Sequence, residues 1–146
     1  MPVVDDSIII NRPRSEVFSF AADPNNIPLY SSNMIEYEQV TEGPVGEGTR
    51  NRGSVKVAGK RIDFVTEVVK FEEGGRLASR SVESQVPFEL DVTYEDAGDG
   101  TKVSWHQESE TFGGFFGKLA DPLVNRMYAK DVHSNLENLK ELLEAE

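Results

Sequence analysis

The sequence predicts an α+β fold in which a curved antiparallel sheet of about seven strands wraps around one long C-terminal helix. Two observations lead to this fold. Short alternating or β-branched segments, separated by tight glycine turns, fill residues 34–111, and such successive strands pair antiparallel. Helical segments opened by prolines stand on both sides of them. A chain of 146 residues, 38% hydrophobic and 28% charged, has the size of one globular domain. We therefore expect a single domain over residues 1–146.

Prolines mark the starts of the three predicted helices. A proline in the first helical turn costs nothing, because the N–H that it lacks would have no partner there. Asp23 and Asp121 directly precede two of these prolines and are predicted N-caps. Two short helices are expected after the first strand and a long one at the end of the chain, over residues 13–22, 24–30 and 122–145.

Seven strands are predicted from β-branched content, alternation and the turns between them. The first is a β-branched run ahead of the first helix, and the last two form a hairpin around residues 97–100. The predicted strands are residues 7–11, 34–41, 49–57, 61–71, 76–82, 88–95 and 101–111.

Alternation along the strands predicts one dry and one wet face of the sheet. The residues assigned to the dry face are Ile62, Phe64, Thr66, Val68, Phe88, Leu90, Val92, Tyr94, Val103, Trp105, Gln107 and Ser109. The long helix has an apolar stripe at three- and four-residue steps that would cover this face. Its members are Val124, Tyr128, Val132, Leu136, Leu139 and Leu143.

The charge balance excludes several classes of partner. Twenty-six acidic residues against fifteen basic ones give a formal net charge of −11. Such a surface repels phosphate backbones and anionic membranes, so we expect no nucleic-acid partner. No apolar run approaches the ~20 residues of a membrane span, so stable membrane insertion is not expected either. The chain has no cysteine, and residues 1–6 have no signal-peptide character. A cytoplasmic protein is the simplest interpretation.

Several short motifs, in this element order, resemble the START-like (SRPBCC) superfamily, and within it the polyketide cyclase/dehydrase and lipid-transport family. The motifs are Ile10-Asn11-Arg12-Pro13, Glu16-Val17-Phe18, Asp23-Pro24, Gly46-Glu47-Gly48-Thr49, Gly100-Thr101-Lys102-Val103 and residues 135–140. The resemblance covers nearly the whole chain and implies the helix-grip fold. It also implies a cavity between sheet and helix for apolar ligands such as lipids, sterols, quinones or polyketides. No position matches a catalytic set of the family.

Alternation and the resemblance together select the side chains expected to bind a ligand. In this fold the N-terminal half of the long helix lines the cavity, and inward strand positions supply the opposite wall. Three of the selected residues, Tyr128, Gln107 and Ser109, are suited to orient a carbonyl or hydroxyl group. The full set is Val55, Val57, Ile62, Phe64, Phe88, Leu90, Gln107, Ser109, Phe112, Phe116, Leu119, Leu123, Met127 and Tyr128.

Residues 112–117, Phe-Gly-Gly-Phe-Phe-Gly, stand just before the long helix, near one expected end of the cavity. Glycines permit backbone conformations that other residues resist. Two interpretations stay open: a mobile aromatic gate for an apolar ligand, or rings that fasten the start of the helix to the sheet.

Titratable residues offer little catalytic chemistry. His106 and His133 fall on expected outward positions, so we expect no metal site, and no glycine motif indicates a bound cofactor. Arg50 and Arg52 alternate on one strand; if they faced inward, they would need an anionic ligand group. Asp131 lies one step from the buried stripe and is a candidate base, although a solvated helix charge is the simpler interpretation.

Three functions therefore compete. Binding or transfer of a hydrophobic small molecule needs only apolar walls and an entrance. A cyclase or dehydratase needs a positioned acid and base, for which the predicted wall offers little besides Tyr128. A regulator that acts through protein–protein contact needs no cavity, and a cavity under ~300 Å³ would favour it. The sequence does not fix the ligand or the oligomeric state.

Overall fold

The chain forms a seven-stranded antiparallel sheet, three helices and connecting turns in a computed structural model that describes residues 2–145. The element order is β1 (Val3–Ile10), α1 (Arg14–Ala21), α2 (Ile27–Tyr30), β2 (Met34–Gln39), β3 (Arg50–Val57), β4 (Lys60–Glu72), β5 (Arg76–Ser84), β6 (Phe88–Ala97), β7 (Gly100–Ser109) and α3 (Asp121–Glu144). The predicted α+β class, with two short helices after the first strand, is confirmed.

The sheet has the strand order β1-β7-β6-β5-β4-β3-β2, so the first two strands of the chain form its opposite edges. Helices α1 and α2 connect these edges. Helix α3 packs against β1 at one edge of the curled sheet, against β3 next to the other edge, and against α2. None of the described helices is both long enough and apolar enough to cross a membrane.

Strand β1 begins four residues earlier than predicted, at Val3 rather than Ser7. Acidic residues are disfavoured in strands, but Asp5 and Asp6 are each held by a histidine of another element. Asp5 hydrogen bonds with His106 of β7, and Asp6 Oδ2 lies 2.9 Å from His133 Nδ1 of α3. These tertiary contacts extend the strand beyond its apolar run.

Both predicted N-caps are wrong. Asp23 Oδ1 accepts a hydrogen bond from the Asn25 backbone N–H at 3.0 Å, which forms a turn, and α2 begins only at Ile27. Asp121 is the first residue of α3, after Ala120 at the N-cap, and its Oδ2 accepts from the Phe112 backbone N–H at 3.3 Å. The remaining element bounds lie within two residues of the predicted ones.

The core consists of two clusters. The larger joins α1, the C-terminal half of α3 and strands β1, β6 and β7; the smaller joins β3, β4, residues 112–116 and the start of α3. The predicted stripe of α3 is confirmed: Val124, Val132, Leu136, Leu139 and Leu143 are buried, and Tyr128 packs against both clusters. The cavity described next is lined by members of both clusters.

Candidate ligand cavity

A cavity of about 180 Å³ lies between the inner face of the sheet and α3. Strands β3–β7 form its main wall, because their alternate residues point toward the helix. Tyr128, Leu136 and Leu139 of α3 form the opposite wall. Residues of α1, α2 and the turn between them, among them Ala21, Ile27 and Tyr30, also line it. The walls are mainly apolar.

The predicted sheet residues all lie on this wall, because alternation fixes which face each strand position occupies. Phe112, Phe116 and Tyr128 line the cavity as well. The members of the predicted set found in the lining are Val55, Val57, Ile62, Phe64, Phe88, Leu90, Gln107, Ser109, Phe112, Phe116 and Tyr128. Their contact with a ligand stays a prediction.

The expected placement of Leu119, Leu123 and Met127 on the cavity wall is wrong. None of them belongs to the lining, and their side chains are 38%, 44% and 39% exposed. Helix α3 faces the sheet with Val124 and Tyr128. A residue one position earlier is rotated by about 100° around the helix axis, which turns Leu123 and Met127 toward solvent. Leu119 precedes the helix altogether.

A belt of four polar side chains, interrupted by the apolar Leu90 and Val68, lies on the inner face of the sheet. Gln107 on β7 and Ser79 on β5 occupy one row of the register through Leu90. Thr66 on β4 pairs directly with Asn51 on β3. All these residues line the cavity. Of these polar residues, only Gln107 belongs to the predicted site. Thr66 was assigned to the dry face but not to the site, and Asn51 and Ser79 were assigned to neither, although Asn51 alternates in phase with the inward Val55 and Val57.

Gln107 is held by two hydrogen bonds to the same atom. Its Oε1 accepts from the Tyr128 hydroxyl at 2.9 Å and from the Trp105 indole N–H at 3.3 Å. Burial raises the pKa of Tyr128 to about 12, although the hydrogen bond to Gln107 opposes the shift and the Asp131 carboxylate adds to it. Tyr128 is therefore a neutral hydrogen-bonding group at physiological pH. This contact links α3 to β7 across the cavity.

A second polar group lies on the β2–β4 side, where Tyr37 is close to Asn51 and Thr66. Burial raises the pKa of Tyr37 to about 12, and hydrogen bonds with the Thr66 and Asn51 side chains oppose that shift. Among residues 2–145, buried side-chain atoms without a hydrogen-bond partner are Asn51 Oδ1 and Asn33 Nδ2. Asn51 belongs to the cavity lining, whereas Asn33 does not.

Charged side chains are absent from the part of the cavity wall that residues 2–145 form. Arg50 and Arg52 do not face inward: both are exposed on the outer face, where Arg50 pairs with Glu67 at 3.0 Å and Arg52 pairs with Glu38. Because Arg50 and Arg52 alternate with Asn51 and Gly53, the sequence alone did not determine which pair faces inward. The pairing of β3 with its neighbouring strands places the uncharged Asn51 and Gly53 on the inner face. Asp131 also lies outside the lining, and partial burial raises its pKa.

The two histidines lie on the surface, each between two carboxylates. His106 contacts Asp5 and Glu108, and His133 contacts Asp6 and Glu137. Hydrogen bonds to Asp5 and Asp6 are the main cause of the raised pKa of His106 and His133 respectively. Within the described chain, no group of three or more acidic, histidine or cysteine side chains is placed to hold a metal ion.

Residues 112–117 form consecutive turns at one end of the cavity. Phe112 and Phe115 each pack edge-to-face on Phe116, with ring centroids 5.1 and 5.0 Å apart. Phe116 is buried against a cluster that includes Val57, Ile62, Val86 and Val124. Gly113, Gly114 and Gly117 have φ of 57°, 80° and 69°, a region that glycine enters without strain. The rings thus do contact the sheet and helix start, while opening of the segment stays a prediction.

Comparison with known proteins identifies the family of this chain. Residues 1–144 match the sequence model of the family described as polyketide cyclase / dehydrase and lipid transport. The chain belongs to this family. No curated protein matches it. The resemblance predicted from the short motifs is therefore confirmed.

Solved structures of this fold agree over almost the whole chain. The protein TTHA0849 from Thermus thermophilus is 25% identical, with a TM-score of 0.86 over 99% of this chain and 98% of the other. A START superfamily protein from Mycobacterium smegmatis is 14% identical, with a TM-score of 0.79 over 98% and 97%. The Zhui aromatase/cyclase from a Streptomyces species is 15% identical, with a TM-score of 0.77 over 97% and 93%. These similarities confirm the helix-grip fold.

Proposed function

We propose that this member of the family binds a small, uncharged and largely apolar molecule in the cavity. The composition of the wall supports the proposal. Aliphatic and aromatic side chains surround a belt of neutral polar groups, and the part of the lining that residues 2–145 form contains no charged side chain. Such walls with a few convergent polar groups are typical of small-molecule sites. A buried ligand carboxylate would have no cationic partner here, and an unpaired buried charge is strongly disfavoured.

The size of the cavity limits the ligand further. A cavity of about 150 Å³ accommodates a benzene molecule. At about 180 Å³ this cavity suits a molecule of one or two rings, or a short branched chain, without rearrangement. A long-chain lipid would require the walls to separate. We therefore favour a compact ligand over the lipid or sterol classes that the resemblance also allowed.

Entry of this ligand is proposed to occur past Phe112 and Phe116. Both rings line the cavity, and they stand in the glycine-rich segment that precedes α3. The contacts that hold Phe116 against the sheet are compatible with a closed gate. Displacement of Phe112 alone would open the wall while Phe116 stays packed. The same segment would then act as the entrance whether the protein transfers its ligand or only stores it.

Catalysis of the cyclase or dehydratase type is the first alternative. It requires an acid and a base near the ligand. The titratable side chains on the described wall are tyrosines: burial raises the pKa of Tyr37 and Tyr128 to about 12 and shifts the pKa of Tyr30 and Tyr94 upward too. A base that ionises only at such high pH is poorly matched to neutral conditions. Binding is therefore the better supported function.

Regulation through protein–protein contact is the second alternative, and the cavity volume favours it. About 180 Å³ lies below the ~300 Å³ at which pockets for drug-sized ligands begin. A residual packing defect of a core would, however, be lined by apolar groups alone. The belt of neutral polar side chains, with an unpartnered amide oxygen, favours a ligand site instead.

Native mass spectrometry of the gently purified protein tests the proposal, followed by organic extraction and identification of any adduct. A neutral molecule of one or two rings, or with a short branched chain, is expected at one equivalent. Ser79→Phe, which places a ring in the cavity, should abolish the adduct. Arg80→Phe places the same ring on the exposed outer face of the same strand and is the matched control. Loss of the adduct in both variants, or an empty protein that takes up no member of a neutral aromatic panel, would exclude the proposal.

A further inference from the structure

The amide oxygen of Asn51 is a buried hydrogen-bond acceptor without a donor. Asn51 is 5% exposed and belongs to the cavity lining. Within the described chain, its Oδ1 has no hydrogen-bond partner. The large majority of buried side-chain polar atoms in folded proteins are hydrogen-bonded, because burial without a partner costs free energy. On the wall of a cavity, such an acceptor is a position where a hydrogen-bond donor of a bound molecule would be favoured.

The position of Asn51 on strand β3 keeps it in the wall. Its backbone pairs with Gln39 of β2 on one side and with Thr66 of β4 on the other. Its side chain lies on the inner face of the sheet, where Tyr37 and Thr66 also line the cavity. An asparagine amide has two N–H donors and an oxygen that accepts two hydrogen bonds. Strand pairing therefore fixes the position of Asn51 in the wall, and its amide oxygen is left without a donor.

The second amide of the polar belt differs in this respect. Gln107 Oε1 already accepts hydrogen bonds from the Tyr128 hydroxyl and the Trp105 indole. It has no free acceptor capacity of the kind that Asn51 retains. The acceptor that lacks a donor is therefore on the β3 side of the cavity, away from α3.

We propose that Asn51 Oδ1 accepts a hydrogen bond from an O–H or N–H group of the ligand, so that the ligand class is a compact neutral molecule with a hydrogen-bond donor, such as an alcohol or phenol. This inference rests on the proposed function and makes it more specific. A hydrocarbon, an ether or a ketone of the same shape would fill the cavity but leave the acceptor unpaired. A carboxylate would bring acceptors and a charge to a site that provides no cation.

Calorimetric titration with two probes of nearly equal shape tests the proposal: 2-naphthol, which carries a hydroxyl donor, and 2-methylnaphthalene, which carries a methyl group in its place. The variant Asn51→Leu has a similar side-chain volume without the acceptor. It should weaken 2-naphthol binding about five- to tenfold, the range of one hydrogen bond, and leave 2-methylnaphthalene equal or tighter. Arg52→Leu, on the exposed outer face of the same strand, is the control and should change neither affinity.

A measurement on the wild-type protein keeps the test independent of how Asn51→Leu folds. The Asn51 side-chain carbonyl carbon should shift downfield in the NMR spectrum when 2-naphthol binds and should not do so with 2-methylnaphthalene. Two results would contradict the hydrogen bond to Asn51 if both probes bind: Asn51→Leu changes both affinities by the same factor, or the Asn51 side-chain carbonyl carbon responds equally to both probes. Binding in the cavity would still be supported. If neither probe binds the wild-type protein, the proposed function fails and this inference fails with it.

Discussion

Gly53 and Phe64 are direct partners on adjacent strands, and the Phe64 ring lies over the glycine. A Cβ at residue 53 would come within 2.7 Å of Phe64 Cζ and 2.8 Å of Tyr37 Cδ1. The absent side chain therefore makes room for two rings on the inner face of β3. Phe64 also stacks edge-to-face on Phe88, with ring centroids 5.7 Å apart. The glycine thus determines the shape of this part of the cavity wall.

Gly53→Ala should destabilise the protein by about 1–3 kcal/mol, because the new methyl group must displace packed rings. It should also change affinity for any cavity ligand, since Phe64 is part of the wall. Urea unfolding measures the first effect. Gly46→Ala is the matched control, because a Cβ there meets nothing within 4 Å and the position has no left-handed φ. Equal stability of the two variants would contradict the packing described.

The gate and the fastening roles of residues 112–117 make different predictions for Phe112→Leu. If Phe112 is the gate, the rate of ligand uptake should rise several-fold with little loss of stability, because this ring is only half-buried. If the ring only fastens the helix start, unfolding becomes easier and the uptake rate stays the same. Stopped-flow quenching of Trp105, the single tryptophan and a cavity residue, measures the rate.

Phe115→Leu is the control for that experiment. Phe115 packs on Phe116 and lies 5.4 Å from Lys60 Nζ, but it is not part of the cavity lining. Its replacement should leave the uptake rate near that of the wild type. Alanine at Gly113 or Gly114 is less informative, since both have positive φ and a side chain there adds strain of its own.

The uncharged wall predicts discrimination against anions. At pH 7.5, 2-naphthoic acid is ionised and should bind at least tenfold more weakly than its neutral amide, because burial of the carboxylate finds no cation. As the pH falls toward the carboxyl pKa of about 4, the neutral acid forms and its affinity should rise. Calorimetry over this pH range checks the effect. An affinity of the acid that equals that of the amide at pH 7.5 would indicate a cation near the ligand.

The two histidines predict how stability depends on pH. Because carboxylate partners raise the pKa of His106 and His133 above 6.5, the native state binds protons more tightly than the unfolded state. Their contribution is complete below pH ~6.5 and is lost as the pH rises through the raised values. Both groups are largely exposed, so the effect should be small.

The measurement is the melting temperature between pH 6 and 9 for the wild type and for the double variant His106→Gln, His133→Gln. The wild type should lose more stability over this range than the variant. The carboxylates concerned are Asp5 and Glu108 for His106, and Asp6 and Glu137 for His133. Parallel melting curves at all pH values would show that these contacts do not stabilise the protein.

Local patterns determined much of this protein. Alternation is a property of each strand alone, so Ile62 and Phe64, or Leu90 and Val92, could be assigned to the inner face before their partners were known. The same holds for the stripe from Val124 to Leu143, because helical periodicity brings its members to one side. The family motifs supplied the arrangement of sheet and helix, from which the place of the cavity followed.

The tertiary structure decided what depends on contacts between distant residues. The pairing of β3 with its neighbouring strands determined which of its alternate residues face inward, so that Asn51 lies on the inner face and Arg50 and Arg52 lie on the outer face. The rotation of α3 about its axis exposed Leu123 and Met127, a difference of about 100° that an apolar pattern alone does not resolve. Histidines more than a hundred residues away allowed Asp5 and Asp6 to join a strand. Cavity volume and the free oxygen of Asn51 arise only from packing, because each depends on the positions of many side chains at once.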